Sequence, residues 1–386
     1  MKLLVEFIIY ISMFNTSVFA QFNPSSFKEF LQEHFPWGYP FFTMNLTMPV
    51  MTTKGFVQGK LLSTVGKGMR YSSFLGIPFA QPPVGSLRFK PPKEANLWGG
   101  LYQALEQKND CPQLELATSA IVGKEDCLYL NVYTPKVSIT DMKKRAVMVW
   151  IYGGGFVSGS SSPKTYGPDF LIEEDVVVVA MNYRLGALGF LSLNHTNATG
   201  NAGLKDQKMA LEWVQKEIES FGGDPKKVTV FGQSAGSAST LYQVLSEASS
   251  GLFRSAIAMS GSSLNRWAFT PPSEAVARAF AFGRSLGVDT TDPEVLLKKL
   301  YSFSAEELVL AMTKSTNIFV PYLTPTLEDP RAESPFLTQC SVDKLKTNNF
   351  NRVSVMLGFT NLEALSFVGF SRYITKPVSQ PFCEQY

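Results

Sequence analysis

Four nearly continuous apolar runs constrain the fold of this chain more than any other feature. They span residues 146–151, 176–181, 228–231 and 353–358 and are rich in β-branched and aromatic side chains. A strand that is apolar at almost every position, rather than at alternate positions, is buried on both faces. That habit is typical of a parallel sheet covered by helices. The runs therefore predict four buried strands of one central, mostly parallel sheet.

Helical patterns separate these runs. An apolar stripe with steps of three and four residues is formed by Leu211, Val214, Ile218 and Phe221. Gly222 and Gly223 then provide a C-cap, and Pro225 prevents the helix from continuing. A second stripe begins at Ala238, and residues 274–313 also have a helical pattern. The alternation of strand and helix predicts an α/β fold.

The first twenty residues predict a secretory signal peptide. Lys2 precedes an apolar stretch that is interrupted by Glu6 and ends in Val18-Phe19-Ala20, which resembles a cleavage site. A membrane anchor or a buried strand is the alternative, but about 20 uninterrupted apolar residues are needed to cross a bilayer. We therefore expect residues 1–20 to be removed. Residues 21–386 would form a single secreted domain without a membrane span.

Other features agree with an oxidising secretory route. Acceptor tripeptides for N-glycosylation begin at Asn45, Asn194 and Asn197. The chain has four cysteines, and Cys111 and Cys127 would close a short loop in which a bridge contributes about 3 kcal/mol. The spacing leaves open whether Cys340 pairs with Cys383, and a free buried thiol is the alternative for each cysteine.

Charge excludes one class of partner. The net charge is +3 and no run is rich in lysine or arginine, so the chain lacks the basic footprint of a nucleic-acid-binding protein. Apolar residues make up 45% and charged residues 17% of the chain, and neither value suggests disorder. Composition by itself indicates a soluble protein of the size of an enzyme.

The segment Gly232-Gln233-Ser234-Ala235-Gly236 carries the chemistry. It matches G-x-S-x-G and stands between a predicted buried strand and a predicted helix, as a nucleophile elbow must. The sharp turn would expose the hydroxyl of Ser234 at the helix N-terminus, where the amide of Ala235 faces a developing oxyanion. A glycine- and serine-rich loop is the alternative interpretation.

A glycine triplet follows the first apolar run. Without side chains, the backbone amides of Gly154 and Gly155 can approach a tetrahedral intermediate and complete the oxyanion hole with Ala235. Each such donor is worth about 3–4 kcal/mol in the transition state. A flexible glycine turn is the alternative. A serine site of this type needs neither a metal nor a cofactor.

These motifs resemble the type-B carboxylesterase and cholinesterase family, which has the α/β-hydrolase fold. The resemblance runs from about residue 55 to about residue 367, and its matching stretches are 76–89, 125–133, 150–159, 182–186, 203–207 and 231–237. It implies hydrolysis of a small carboxylic ester through an acyl-enzyme. It also implies a bridge between Cys111 and Cys127, and structural ion pairs of Arg88 with Glu125 and of Arg184 with Asp206.

The resemblance also places the acid of a catalytic triad. Residues 358–364 match the family's G-x-x-x-x-E-G pattern except that Ala364 replaces the last glycine, and Glu363 then corresponds to the acid. A carboxylate just past the end of a buried strand is well placed to orient a histidine. A solvated loop glutamate is the alternative.

The chain supplies no histidine in the expected place. α/β-Hydrolases order the triad as serine, acid and histidine along the chain, whereas His34 and His195 both precede Ser234. Residues 376–386 resemble nothing in the family, so we expect the C-terminal part of the fold to be missing. Because loss of the base costs on the order of 10⁶ in turnover, we expect this polypeptide to be nearly inactive.

Other functions stay open. A non-catalytic binding or adhesion protein of the same fold is one, although such members usually lose the serine or the glycine loop, and an ester-binding decoy is another. Acetylcholinesterase is disfavoured because residues 112–126 contain no aromatic residue, whereas that subfamily has a choline-binding tryptophan in this loop. The glutamine before the serine, Gln233, resembles the residue at this position in juvenile hormone esterases. The natural ester and the oligomeric state do not follow from the sequence.

Overall fold

The computed structural model describes residues 45–115, 118–138, 140–315 and 323–363. The predicted signal peptide, His34 and Cys383 lie outside the described residues. No helix within these ranges is long and apolar enough to cross a membrane.

The strands of the described residues are short in the N-terminal part and longer at the centre. In chain order they are β1 (Val50–Thr52), β2 (Gly55–Gln58), β3 (Lys60–Ser63), β4 (Arg70–Pro78), β5 (Leu101–Gln103), β6 (Gln113–Leu114), β7 (Ile121–Val122), β8 (Tyr129–Thr134), β9 (Arg145–Ile151), β10 (Val177–Met181), β11 (Ser192–His195), β12 (Ala198–Thr199), β13 (Gly223–Gln233), β14 (Ser255–Met259) and β15 (Ser354–Gly358).

The helices follow the central strands. They are α1 (Asp169–Ile172), α2 (Gly186–Phe190), α3 (Ala202–Glu217), α4 (Ala235–Leu245), α5 (Pro272–Ser285), α6 (Pro293–Leu300), α7 (Ala305–Ser315) and α8 (Ser341–Lys346). The predicted helical region 274–313 therefore consists of three helices, α5 to α7, because turns interrupt it after Ser285 and after Leu300.

The main sheet is mixed and mostly parallel. Within the described ranges its strand order is β15-β14-β13-β9-β10-β8-β4-β3. Strands β15, β14, β13, β9 and β10 run parallel to one another, while β8 is antiparallel to β10 and β4 is antiparallel to β8. The expected α/β architecture is confirmed.

Three of the four predicted strands are buried as expected. Val149 of β9, Val179 of β10 and Val230 of β13 are each 0% exposed. The expectation of burial was wrong for the fourth run, since every residue of β15 is exposed and Leu357 is 68% exposed. The strand is exposed because it is the outermost one on its side of the sheet, and among the described residues only β14 pairs with it.

The predicted apolar stripe of α3 faces the core. Leu211, Val214, Ile218 and Phe221 are all buried. The helix ends at Glu217, one turn before the glycines that were expected to cap it. Gly223 nevertheless closes the turn, because its N–H donates to the carbonyl of Ile218 at 2.9 Å. Gly222 has a φ of 83°, which an L side chain rarely adopts.

The Cys111–Cys127 disulfide and the ion pairs of Arg184 and Arg88 connect loops around the sheet. Cys111 is joined to Cys127. Arg184 donates to Asp206 at 2.6 Å, and both side chains are almost fully buried. Arg88 pairs with Glu125 at 2.5 Å. The guanidinium of Arg88 also donates to the carbonyl of Phe303 at 2.7 Å and so holds the segment that joins α6 to α7.

Candidate active site

Ser234 lies at a sharp turn between β13 and α4. Its φ of 56° and ψ of −120° place a residue with a side chain in a region that only glycine adopts without strain. The N–H of Ser234 donates to the carbonyl of Met259 at 2.9 Å, and its carbonyl accepts from the N–H of Ala238 at 3.0 Å. The strand, turn and helix predicted around Ser234 are therefore present.

The glycines of the motif are required by close packing. A Cβ atom at Gly232 would lie 2.4 Å from the carbonyl oxygen of Gly236. A Cβ atom at Gly236 would lie 2.0 Å from the carbonyl oxygen of Ile151 at the end of β9. No side chain fits at either position unless the backbone shifts. The motif thus lets α4 approach the central strands closely enough to hold the turn at Ser234.

The glycine triplet lies directly against this turn. A Cβ atom at Gly153 would lie 2.5 Å from the carbonyl oxygen of Gln233 and 3.1 Å from Cβ of Ser234. Gly154 and Gly155 have φ values of 117° and 63°, which favour glycine. The structure therefore brings the glycine loop and Ser234 together, as the sequence predicted.

Two features favour an anion beside Ser234. Ala235 is the first residue of α4, so its N–H has no acceptor within the helix, and the helix dipole is positive at this end. The carbonyl of Gly154 accepts from the N–H groups of Val157 and Ser158, at 3.1 and 3.0 Å, which closes the glycine loop into a turn. Backbone donors of a closed turn need little reorganisation to bind an oxyanion.

Glu363 lies five residues after the end of β15. One carboxylate oxygen of Glu363 accepts from the N–H of Thr360 at 2.8 Å and from its hydroxyl at 2.6 Å. Hydrogen bonds from Thr360 and from the side chain of Ser260 lower the pKa of this exposed carboxyl. The group is therefore an ionised acceptor at neutral pH.

Ser260 lies in the candidate site, although the sequence motifs did not identify it. It follows β14 with a φ of 56°, and its N–H donates to the carbonyl of Gly358 at 2.8 Å. Its position after a parallel strand, next to the strand that precedes Glu363, is the signal that could have identified it.

Gly261 completes the floor of the site. A Cβ atom at Gly261 would lie 2.3 Å from the carbonyl oxygen of Ser234. The carbonyl of Gly261 accepts from the hydroxyl of Ser237, on the first turn of α4, at 2.7 Å. The C-terminal ends of the parallel strands β9, β13, β14 and β15 thus lie at the same edge of the sheet. α/β proteins bind their ligands at this edge.

The ring of His195 forms hydrogen bonds away from Ser234. Its Nδ1 accepts from the N–H of Asn197 at 3.2 Å, so the proton of the neutral ring lies on Nε2. Nε2 is 2.8 Å from a carboxylate oxygen of Glu294, at the start of α6. Neither ring nitrogen is paired with Ser234 or with Glu363.

The glycosylation acceptors differ in exposure. Asn45 and Asn194 are exposed, whereas Asn197 is half-buried. Thr47 and Thr199, the third residues of their tripeptides, are buried, but Thr196 is exposed. Modification at the three asparagines stays a prediction. No described cysteine is free, and no group of three or more potential metal ligands occurs among the described residues.

The mostly parallel sheet, its covering helices and the serine turn define an α/β-hydrolase. Residues 47–381 match the model of the carboxylesterase family. Cholinesterase of Mus musculus is 38% identical over 84% of this chain and 56% of its own length. Juvenile hormone esterase of Tribolium castaneum is 40% identical over 76% of this chain and 51% of its own length. The chain belongs to the carboxylesterase family.

A solved structure has the same fold. Juvenile hormone esterase from Manduca sexta, with OTFP covalently attached, superposes with a TM-score of 0.78 and 34% identity. The match covers 85% of this chain and 62% of that chain. The chain therefore spans between about half and about three fifths of the length of the relatives described here.

Proposed function

We propose that this chain carries the nucleophile, the oxyanion hole and the acid of a serine carboxylic ester hydrolase. The observation that carries the proposal is the strained turn at Ser234, packed against Gly153 at the ends of the central strands. Strain of this kind persists where the surrounding structure fixes it, and it is concentrated at functional sites.

The reaction follows from this arrangement. The hydroxyl oxygen of Ser234 attacks the ester carbonyl carbon, and the resulting oxyanion accepts hydrogen bonds from the amides of Gly154, Gly155 and Ala235. The proton of the Ser234 hydroxyl passes through the base to the leaving oxygen, the C–O bond of the ester breaks, the alcohol leaves and an acyl-enzyme remains. Water then attacks the acyl carbon, releases the carboxylic acid and restores the hydroxyl. No step requires a metal or an organic cofactor.

Glu363 is assigned to orient the base. Its ionised carboxylate would accept from one nitrogen of an imidazole while the other nitrogen takes the proton of Ser234. Thr360 and Ser260 hold the carboxylate in place. The imidazole would have to come from a histidine other than His195, whose ring nitrogens are paired with Asn197 and Glu294.

We further propose that a polypeptide with this sequence alone hydrolyses esters at a trace of the rate of a complete triad. Removing the base of a serine triad lowers turnover by about 10⁶, and the oxyanion hole leaves a residual acceleration. A non-catalytic binding protein of the same fold is the second candidate. The intact serine turn and glycine loop favour the enzyme, since binding alone does not require a strained serine.

Secretion is also a proposal. It is supported by the pattern of residues 1–20 and by the Cys111–Cys127 disulfide, because disulfides persist in oxidising compartments.

Covalent labelling tests the nucleophile. A fluorophosphonate should react with Ser234 in a chain extended by the C-terminal segment of a relative, and the adduct is located by mass spectrometry. Ser234→Ala should lose the label, whereas Ser302→Ala, at an exposed serine between α6 and α7, should retain it. Equal labelling of the Ser234→Ala protein would refute the assignment. An ester-binding decoy would accept the label without turning over p-nitrophenyl esters.

A further inference from the structure

The side chain of Gln113 binds the backbone of one residue through both polar atoms of its amide group. Nε2 donates to the carbonyl oxygen of Gly159 at 2.8 Å, and Oε1 accepts from the N–H of Gly159 at 2.6 Å. A primary amide carries a donor and an acceptor side by side, so it pairs with a peptide backbone as a neighbouring strand would. Nε2 also donates to the carbonyl of Cys111 at 3.1 Å. Gln113 is 6% exposed and lies in the loop that the Cys111–Cys127 disulfide closes, called here the disulfide loop.

Gly159 in turn packs directly against the glycine loop. Its φ is 116°, and a Cβ atom there would lie 2.6 Å from the carbonyl oxygen of Gly153. A Cβ atom at Gly154 would lie 2.2 Å from the carbonyl oxygen of Ser158, the residue before Gly159. The two ends of the segment 153–159 therefore touch, and a displacement of Gly159 would be passed on to Gly153 and Gly154.

Two further buried amides hold the next part of the chain. The side-chain oxygen of Asn182, which follows β10, accepts from the N–H of Ser161 at 2.9 Å. The side-chain nitrogen of Asn131, in β8, donates to the carbonyl of Ser161 at 3.0 Å. Both asparagines are at most 1% exposed. They fix Ser161 to the central sheet, whereas Gln113 fixes Gly159, which lies closer to the glycine loop along the chain.

The glycine loop needs such support from outside. Glycine has no Cβ atom, so a run of three glycines has unusual backbone freedom and supplies no side chain that restricts it. Backbone donors stabilise an oxyanion best when they are already aimed at the position where charge develops. A group that holds the loop in one conformation therefore contributes to the oxyanion hole without touching the substrate.

We propose that Gln113 is a positioning residue that holds the amides of Gly154 and Gly155 where an oxyanion can bind. Its hydrogen bonds go to Cys111 and Gly159, so it acts through Gly159. The inference rests on the proposed function for the use of the two amides. The coupling of Gln113 to the glycine loop is a property of the fold and can be tested without catalysis.

The test follows the two amides directly in the 386-residue chain. Glycine labelled with both ¹³C and ¹⁵N gives a signal in an HNCO spectrum only where one glycine follows another. The sequence has four such amides, at Gly100, Gly154, Gly155 and Gly223. Gly99→Ala and Gly222→Asn each remove one signal and so identify those of Gly100 and Gly223. The remaining two signals report the glycine loop, whereas Gly100 and Gly223 report the rest of the fold.

Gln113→Glu keeps the shape of the side chain and makes its donor depend on pH. The neutral carboxyl has one donor and one acceptor, like the amide, whereas the ionised carboxylate only accepts and would face the carbonyls of Gly159 and Cys111. At the alkaline end of a pH titration, the signals of Gly154 and Gly155 should be displaced or broadened relative to the unsubstituted protein. On acidification they should return to the positions that they have in that protein.

Three comparisons control the titration. Asp110 and Glu115 lie within three residues of Gln113, and burial raises the pKa of Asp110, so the unsubstituted protein is titrated in parallel. Gln113→Asn is one methylene shorter and cannot reach both atoms of Gly159, so it should displace the signals at every pH. Gln339→Glu introduces the same carboxyl at an exposed site and should leave them unchanged.

Three results would overturn the inference: signals of Gly154 and Gly155 that stay in place in Gln113→Glu at every pH, signals that remain displaced in acid, or a change in all four signals. The last result would show that Gln113 stabilises the fold as a whole and has no particular hold on the glycine loop. None of these results depends on the labelling of Ser234 by a fluorophosphonate. Failure of this inference and failure of the proposed function are therefore distinguishable.

Discussion

The N–H of Ser234 donates to the carbonyl of Met259, so the candidate nucleophile is tied to the end of the neighbouring strand β14. The next residue, Ser260, donates its N–H to the carbonyl of Gly358 at the end of β15. Two successive backbone hydrogen bonds thus join the turn of Ser234 to the end of β15, and Glu363 follows in the turn after that strand. Strand pairing therefore fixes where the turn with Glu363 begins relative to Ser234.

Gly236→Ala should destabilise the fold and abolish labelling of Ser234. The new Cβ atom would lie 2.0 Å from the carbonyl of Ile151, so α4 would have to move away from β9. Overpacking of this kind costs about 1–3 kcal/mol. Urea unfolding and fluorophosphonate labelling measure the two effects. Gly99→Ala, where a Cβ atom meets nothing within 4 Å, should change neither.

Asp206→Ala should be strongly destabilising. It leaves the guanidinium of Arg184 buried without its carboxylate, and breaking a buried ion pair costs about 3–5 kcal/mol. The free energy of unfolding in urea is the measurement. Asp329→Ala removes the partly exposed partner of the exposed Arg331 and should lower stability by much less, about 1 kcal/mol at most. Similar stabilities of the two variants would contradict the structural role of the buried pair.

Replacing both Cys111 and Cys127 with serine should lower stability by about 3 kcal/mol, since the bridge closes a loop of 16 residues. It should also free the segment of Gln113, whose amide holds this loop to Gly159. Proteolysis should then cut the loop between residues 112 and 126 first. A loop that stays resistant in the serine variant would show that its other contacts suffice.

Thr360→Val should raise the pKa of Glu363 toward its ordinary value. The hydroxyl of Thr360 stabilises the ionised form, so its loss favours the protonated form. A carboxyl whose pKa is lowered by folding stabilises the folded protein at every pH above the pKa that it has in the unfolded state. This contribution to the free energy of unfolding is lost as the pH falls through the pKa of the folded state. A carbon NMR titration of the Glu363 carboxyl measures the change, and Thr347→Val should leave it unaltered.

The exposed strand β15 should promote self-association. Met356 and Leu357 are 65% and 68% exposed, on opposite faces of the strand that forms one edge of the sheet within residues 45–363 as far as they are described. Such an edge is a template for pairing with another chain. Leu357→Lys should reduce light scattering of concentrated protein without a loss of stability. Val65→Lys, at a residue that is 80% exposed elsewhere, should reduce scattering less.

The sequence by itself determined the strands β9, β10 and β13, the helix α3 and the turn at Ser234. Each depends on residues that are close together in the chain. An apolar run predicts a buried strand, a stripe at helical spacing predicts the covered face of a helix, and the glycines around Ser234 permit its strained turn. The resemblance of longer stretches to the carboxylesterase family also predicted the position of Glu363 and the ion pair of Arg184 with Asp206.

Only the tertiary structure decided which of these elements meet. Ser260 hydrogen-bonds Glu363, Gly153 packs against Ser234, and both pairs are distant in sequence. The exposure of β15 could not be predicted from its apolar run, because burial depends on neighbours that the run does not contain. The hydrogen bonds between the disulfide loop and the segment after the glycine triplet likewise join residues that are 46 positions apart in the chain. Local conformation follows from local sequence, whereas contact and burial depend on the packing of the whole chain.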